Sequence, residues 1–403
     1  MIVAWEPLPL RAAAPVADAV PRLLAWAAAR GIRWEPIEIR TSADGERGVF
    51  ARRAITAGEP LITVPRAAMI TDRDAAAALA ACGGAGLAGL RSPHSELALW
   101  LARERADAAS AWAPFLDALP PAYPWLPLFR PGAELAPLAG TRALIAINDL
   151  ALTYRDDHRL VAQRGSPLAA VGLADYAWGR AVTGSRCFGI AAADGSARAL
   201  VPVADLLNHG PAMAAWDFDD QAQQFEVWAE RPIAAGEEVL ISYGAQDNAR
   251  LLTAYGFTLA DNPDDEIAIQ LATHGGLRPY RVGASYDVRF QQAMAAALAW
   301  PDTSEADALV RIAAAAADAQ AELALPPVAL VGDPAWQASC ARVRAGERDV
   351  AAAIVAFVDE LVASGVTRSA AAWRAVAAAI PADAVGARRL LRTYAEVAAT
   401  VAG

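Results

Sequence analysis

The sequence contains no lysine: all 35 of its permanently basic residues are arginine. A nucleotide-binding loop built on a phosphate-gripping lysine is therefore excluded, as is any Schiff-base mechanism. Arginine substitutes in neither role, because its guanidinium does not give up its proton. Cysteine is scarce, with Cys82, Cys187 and Cys340 far apart and in no CxxC or Cys/His pattern. That spacing argues against a disulfide framework and against structural zinc. No uncharged apolar stretch is long enough for a membrane span, since Asp, Glu or Arg interrupts the alanine-rich runs every few residues. The opening "MIVAWEPLPLRAAAPVADAV" carries Glu6 and no basic start, so it is not read as a signal peptide. The expectation is a soluble, cytoplasmic chain with no membrane partner.

Other motifs are missing too. The glycine-rich "GGAGLAG" at 83–89 follows no strand pattern and does not suit a dinucleotide loop. The acidic groups "DDH" (156–158) and "DFDD" (217–220) lack metal-ligand spacing and read as solvated loops, and "DNPDDE" (261–266) reads as a polar loop. No metal site is expected.

What is present is 403 residues, enough for two or three domains with a real core. The hydrophobic share of 56% is inflated by alanine, while aromatics stand at an ordinary 7%. The net charge of −10 disfavours nucleic acid and favours a basic protein surface as partner.

"PRLLAWAAARG" (21–31) predicts an amphipathic helix stopped by Gly31, and "WEPIEIRT" (34–41) alternates as a strand. "GERGVFARRAITAGEPLITVP" (45–65) gives two strand-like runs around a turn. The next hundred residues change to helical spacing with a proline-broken loop, "LPPAYPWLPLFRPG" (119–132). From about 176 strand patterns return in "SRCFGI" and "ALVPVADLLNH", and "AAWDF…QFEVWAE" suggests a hairpin around "DDQAQ". After about 260 the chain is expected to be mainly helical and alanine-rich, by plain helix packing rather than repeats. The predicted organisation is 1–75 and 176–262 as two halves of one β-rich domain, 76–175 as a helical insert, and 263–403 as an all-α C-terminal domain. Two segments, 51–65 and 229–244, share the form Arg-x-Ile-x-x-Gly-Glu-x-apolar.

Four stretches, in this order, resemble the SET domain of protein methyltransferases, in the split type typified by the Rubisco large-subunit lysine methyltransferase. They are 45–65, "WGRAVTGSRCF" (178–188), "LVPVADLLNH" (200–209) and "EEVLISYGAQDNARLLTAYGFTLADNPDD" (237–265). The last contains Tyr243, Asn248, Leu251, Leu252, Tyr255, Gly256, Phe257, Asn262 and Pro263. The likeness covers roughly 20–265; beyond it only the helical architecture corresponds. One departure is "GERGV" where the family carries Gly-x-Gly, with Glu46 before Gly48.

The resemblance implies an α+β fold with small sheets and a knot-like threading of the Asn-His segment beside a C-terminal strand. It implies S-adenosylmethionine as cofactor and a protein side-chain nitrogen, first the lysine ε-amine, as acceptor. Methyl transfer of this kind is an in-line displacement that needs a neutral amine and good positioning. Glu46, Arg47, Gly48, Arg186, Asn208, His209, Tyr243 and Tyr255 are expected around the cofactor. Asn208 would take its amino-acid end, and His209 would serve mostly in structure. Tyr243 is the expected catalytic phenol. Ser185 and Asp205 would flank the amine with backbone carbonyls, and Phe257 would wall its channel. Arg186 would pair with a carboxylate of the cofactor or of the structure. Each has a plainer reading: core packing for Tyr243 and Phe257, strand-end packing for Tyr255, a surface arginine for Arg186, turn residues for Ser185 and Asp205. Two alternatives stand beside the lysine reading, a histidine acceptor and a non-catalytic SET-like scaffold that recruits a protein.

Overall fold

The structure is a computed structural model that describes residues 5–11, 16–41, 46–82, 90, 92–162, 167–192, 195–325, 331–363 and 385–401. The glycine stretch 83–89 and Gly45 lie outside these residues. The chain forms two compact units, one of 8–124 and 150–245, the other of 1–7, 125–149 and 246–403.

The first unit is built on short strands. Helix α1 (Ala19–Ala29) gives way at Gly31, whose φ of 79° suits only glycine at low cost. Strands β1 (Ile37–Thr41) and β2 (Arg47–Ala51) pair antiparallel. Strand β3 (Pro60–Pro65) follows, then β4 (Ile70–Thr71). A helical stretch comes next in the chain: α2 (Asp72–Ala81), α3 (Pro93–Ala106), α4 (Ala113–Ala118), the single turn α5 (Gly132–Leu135), α6 (Arg142–Ala162) and α7 (Leu173–Arg186), of which α5 and the start of α6, as far as 149, belong to the second unit. Strands then resume with β5 (Cys187–Ala192), β6 (Gly195–Leu200), β7 (Asn208–His209), β8 (Ala214–Asp219), β9 (Gln224–Ala229) and β10 (Leu240–Ile241). The sheets are β3-β9-β8, β4-β6-β5, β1-β2 and a parallel β7-β10 pair. The expected hairpin is β8–β9, in register from Ala214↔Ala229 to Asp219↔Gln224.

The two echoing segments pair with each other. Ile55 and Ile233 exchange both backbone hydrogen bonds, at 2.9 and 3.0 Å. Each segment then turns at a glycine of positive φ, Gly58 at 80° and Gly236 at 81°. The shared Ile-x-x-Gly-Glu form thus encodes matching turns stitched side by side.

Several expectations differ in this unit. "DFDD" is not a solvated loop, since Asp217–Asp219 end β8 and Phe218 is buried. "WGRAVTGSR" belongs to α7, so the strand pattern resumes only at Cys187. The apolar run "ALVPVADLLNH" is not one strand: β6 ends at Leu200 and a 3-10 turn spans Ala204–Leu206. "DDH" is not a solvated loop but part of α6, and Asp157 is 1% exposed. Its Oδ2 accepts from Ser95 Oγ at 2.6 Å, Tyr176 OH at 3.2 Å and Arg180 at 3.3 Å. Partners from α3 and α7 make burial of this charge tolerable, which local sequence does not reveal.

The second unit is mostly helical: α8 (Asn248–Tyr255), α9 (Val288–Leu298), α10 (Glu305–Ala324), α11 (Pro334–Ala363) and α12 (Val385–Val401). The apolar faces of α9 to α12 meet in a core that includes Phe290, Ile312, Ile354, Phe357 and Leu390. The region after 262 is not all-α, however. Strands β11 (Glu266–Thr273) and β12 (Gly276–Gly283) form an antiparallel hairpin. Alternation in "EIAIQLAT" sends Ile267, Ile269 and Leu271 into that core, a period-2 signal hidden by the alanine-rich surroundings. "DNPDDE" is likewise not a polar loop throughout, since Asn262, Asp265 and Glu266 are all buried. Asp265 accepts from the backbone and side chain of Asn248 at 2.7 and 2.9 Å, tying the start of α8 to this turn. No helix of the described residues is long and apolar enough to cross a membrane.

Candidate cofactor and acceptor site

The parallel pair of β7 and β10 aligns Asn208 with Leu240 and His209 with Ile241. This places the end of the apolar run beside the strand that leads to Tyr243. His209 Nδ1 accepts the backbone N–H of Tyr243 at 3.0 Å, and the Tyr243 hydroxyl donates to the Leu207 carbonyl at 2.8 Å. The two rings lie 5.1 Å apart at 41°. One three-residue segment therefore holds Tyr243 at both its backbone and its phenol. Accepting at Nδ1 requires an imidazole unprotonated on that nitrogen, and burial lowers the His209 pKa in keeping with it.

A second group gathers behind this one. Arg186, the last residue of α7, donates to the Asp205 carbonyl at 2.8 Å and pairs with Asp205 Oδ2 at 3.2 Å. Its carboxylate partner is thus internal. Burial raises the Asp205 pKa, with Arg186 and Arg47 pulling against it. For Arg186, burial acts to lower the pKa, but Tyr123 and Asp205 outweigh it and the net shift is upward. Arg47, on β2, donates to the Ala118 carbonyl, and burial followed by the nearby Arg186 lowers its pKa. Asp205 Oδ1 and Arg186 Nε are buried with no hydrogen-bond partner among the described residues. The turn carrying Asp205 is entered through Val203, at φ 74° and 0% exposed. A β-branched residue in that region costs on the order of 1–3 kcal/mol, and such strain persists where surroundings over-determine it.

Asn208 is held by a residue that the sequence reading did not single out. Its amide nitrogen donates to the Arg47 carbonyl at 2.9 Å and to Glu238 Oε1 at 2.8 Å. Gly48 leaves the room: a Cβ there would stand 2.4 Å from Glu238 Oε1. Glycine at 48 is therefore needed for close approach rather than for an unusual φ. The only sequence signal was the Gly-Glu-Glu turn that echoes Gly58-Glu59. With both N–H groups used, the Asn208 amide oxygen has no donor among the described residues.

The structure thus brings together Arg47, Gly48, Arg186, Asp205, Asn208, His209 and Tyr243. Glu46 is exposed at the mouth of β2. Ser185 sits in the last turn of α7 with its hydroxyl bonded back to the Ala181 carbonyl at 2.7 Å. Tyr255 and Phe257 belong to the other unit, with rings 6.0 Å apart on either side of Gly256. Tyr255 closes helix α8, and Gly256, at φ 84°, caps it by donating to Leu251 and Leu252. Among the described residues no group of three or more His, Cys, Asp or Glu could hold a metal ion.

Residues 46–244 match the family model of the SET domain. An actin-histidine N-methyltransferase of Danio rerio is 29% identical over 289 residues, 66% of this chain and 47% of that protein. A ribosomal lysine N-methyltransferase of Schizosaccharomyces pombe is 29% identical over 193 residues, 46% of this chain and 35% of that protein. The chain spans about half the length of the first of these relatives, or less. Among solved structures, the SET domain of LSMT bound to lysine and AdoHcy superimposes with a TM-score of 0.71 at 17% identity, over 87% of this chain and 92% of that one. Rubisco LSMT bound to AdoMet gives 0.68 at 18% identity, over 86% and 92%.

Proposed function

Because this chain carries a SET domain interrupted by helices in the manner of the split type, we propose that it methylates a side-chain nitrogen of a protein, the lysine ε-amine first, using S-adenosylmethionine. The observation that carries this reading is Tyr243, fixed at both ends by the 207–209 segment. The surrounding residues suit the cofactor. The free acceptor on Asn208 fits its ammonium group, and the Asn208–His209 backbone beside β10 would hold its adenine. When bound, the cofactor supplies an electrophilic methyl group on a sulfonium.

The chain's own residues do the rest. A lysine acceptor has a pKa of about 10.4 in water and must arrive neutral. Burial beside the Arg47–Arg186 pair disfavours a further cation, which favours the neutral amine. The Tyr243 phenol, held by its donation to the Leu207 carbonyl, has an oxygen of the kind that orients an amine and complements charge at the reacting centre. The Asp205 carbonyl takes Arg186 with one lone pair and has a second for the amine. Arg186 in turn holds the strained 203–205 turn against α7. A histidine acceptor is the second reading, favoured by the name of the Danio rerio relative.

The test is transfer of labelled methyl from S-adenosylmethionine into lysate proteins, followed by peptide mapping of the product. Methyl-lysine formed by the wild type, with Tyr243→Phe about a hundredfold slower and its cofactor affinity within threefold, is the expected result. Methyl-histidine alone would select the second reading. Full transfer by Tyr243→Phe would remove the role given to that phenol.

A further inference from the structure

The helical unit contains a cavity of about 350 Å³ that none of the roles above uses. Three elements each give it a single face. From α6 and the turn before it come Gly140, Thr141, Leu144, Ile145 and Asn148; β11 gives Ala268 and Gln270, and α10 gives Ala315, Asp318, Ala319 and Glu322. The spacing explains the lining. Positions 141, 144, 145 and 148 share a helix face, as do 315, 318, 319 and 322. Ala268 and Gln270 point opposite to the buried Ile267 and Ile269.

Its chemistry is lopsided. Asp318 and Glu322 stand four apart on one helix, where like charges repel, and neither has an ion-pair partner among the described residues. Among the described residues no basic side chain lines the cavity. A nearby cation, Arg344, is committed elsewhere. It donates to the carbonyls of Pro137, Ala139, Leu323 and Leu325 at 3.3, 2.7, 2.6 and 2.9 Å. Those bonds fasten the turn before α6 to the end of α10, so the rim is held in place without neutralising Glu322. Gly140, at φ 79°, lets the Glu322 carboxylate lie over that turn, since a Cβ there would be 3.2 Å from Oε1. Ile145 remains 50% exposed at the edge. Gln270 adds an amide free of other hydrogen bonds among the described residues.

We infer that this cavity receives an arginine or lysine side chain presented by a protein partner. Leu144, Ile145, Ala315 and Ala319 suit the aliphatic stem. Asp318 and Glu322 take the cationic head, with Gln270 and the Asn148 amide oxygen beside them. The −10 net charge draws a basic segment toward this surface. The site lies wholly within one unit and stands whether or not the chain transfers a methyl group.

The test is saturation-transfer NMR on the full chain with the peptide acetyl-Gly-Gly-Arg-Gly-Gly-amide, and with its norleucine counterpart as the uncharged stem. The expected result is transfer to the arginine methylenes, none to norleucine, and affinity lowered about tenfold in Asp318→Asn/Glu322→Gln. Glu35→Gln/Glu230→Gln, which removes the same charge from exposed positions of the other unit, should bind as the wild type does. Equal loss in both double variants would reduce the effect to net charge and overturn the site. Absence of transfer in the wild type would overturn it as well. So would spermine occupying the cavity at a hundredfold lower concentration than the peptide, which would assign it to a small polycation.

Discussion

Gly48→Ala places a methyl group 2.4 Å from where Glu238 Oε1 now lies, so the carboxylate must leave Asn208. Asn208 then loses the partner that sets its amide, and the acceptor proposed for the cofactor's ammonium turns away. The expected outcome is cofactor affinity weakened about tenfold by titration calorimetry, with the fold intact by circular dichroism. Glu238→Gln keeps an oxygen acceptor in the same place and should stay within threefold of the wild type. Equal affinity in Gly48→Ala would detach Asn208 from cofactor binding. Glu238 was illegible beforehand because its meaning lies in a contact 30 residues away with Asn208. That Asn208, His209 and Tyr243 lie together was legible because their stretches follow one another in the order the resemblance carries.

At the scale of elements, α3, α6 and α7 are pinned through Asp157. Its removal in Asp157→Ala leaves Arg180 buried without its counter-charge. A loss of about 3–5 kcal/mol is expected, read as a lower urea midpoint with unchanged slope. A midpoint equal to wild type would make the network ornamental. In the helical unit, Glu347 of α11 accepts the Arg142 N–H at 2.9 Å on each oxygen and so caps the start of α6 from outside. Burial pushes Glu347 up to about 7 and Asp265 up to about 6, against the hydrogen bonds and Arg142 that favour their charged forms. Raised carboxyl pKa values mean the folded state binds more protons than the unfolded one, from about pH 4.5 to 7 for Glu347. Stability from this group therefore declines as pH rises through that window, by on the order of 2–3 kcal/mol. Urea unfolding at pH 5.5 and pH 8 should show the decline in the wild type and much less of it in Glu347→Gln. A wild type as stable at pH 8 as at pH 5.5 would contradict the assignment. These buried acids share the reason that part of the fold escaped the sequence. "DDH" and "DNPDDE" look solvated because local polarity says nothing of an arginine or asparagine arriving from another element. The β1, β2, β3 and β8–β9 strands were plain because alternation and Gly turns are local. The β11–β12 hairpin carried the same alternation but sat among alanines that suit helices equally well.

For the whole molecule, the absence of lysine gives the account a clean readout. Any methyl-lysine that forms in a reaction of this chain with a partner resides on the partner's side chains, so no correction for self-methylated lysine is required. The net charge of −10 adds that transfer to a basic acceptor protein should weaken as salt rises, most steeply below about 0.15 M where surface charges are least screened. Rates that do not change between low and high salt would remove the charge from acceptor recruitment. All of this depends on one central claim, that the Asn208, His209 and Tyr243 constellation holds S-adenosylmethionine. The most direct measurement is calorimetric titration of S-adenosylmethionine, and in parallel S-adenosylhomocysteine, into the folded chain. The account predicts saturable one-to-one binding of both. No heat from either, in protein whose circular dichroism and cooperative unfolding show it to be folded, would contradict the enzyme and leave a SET-like scaffold in its place.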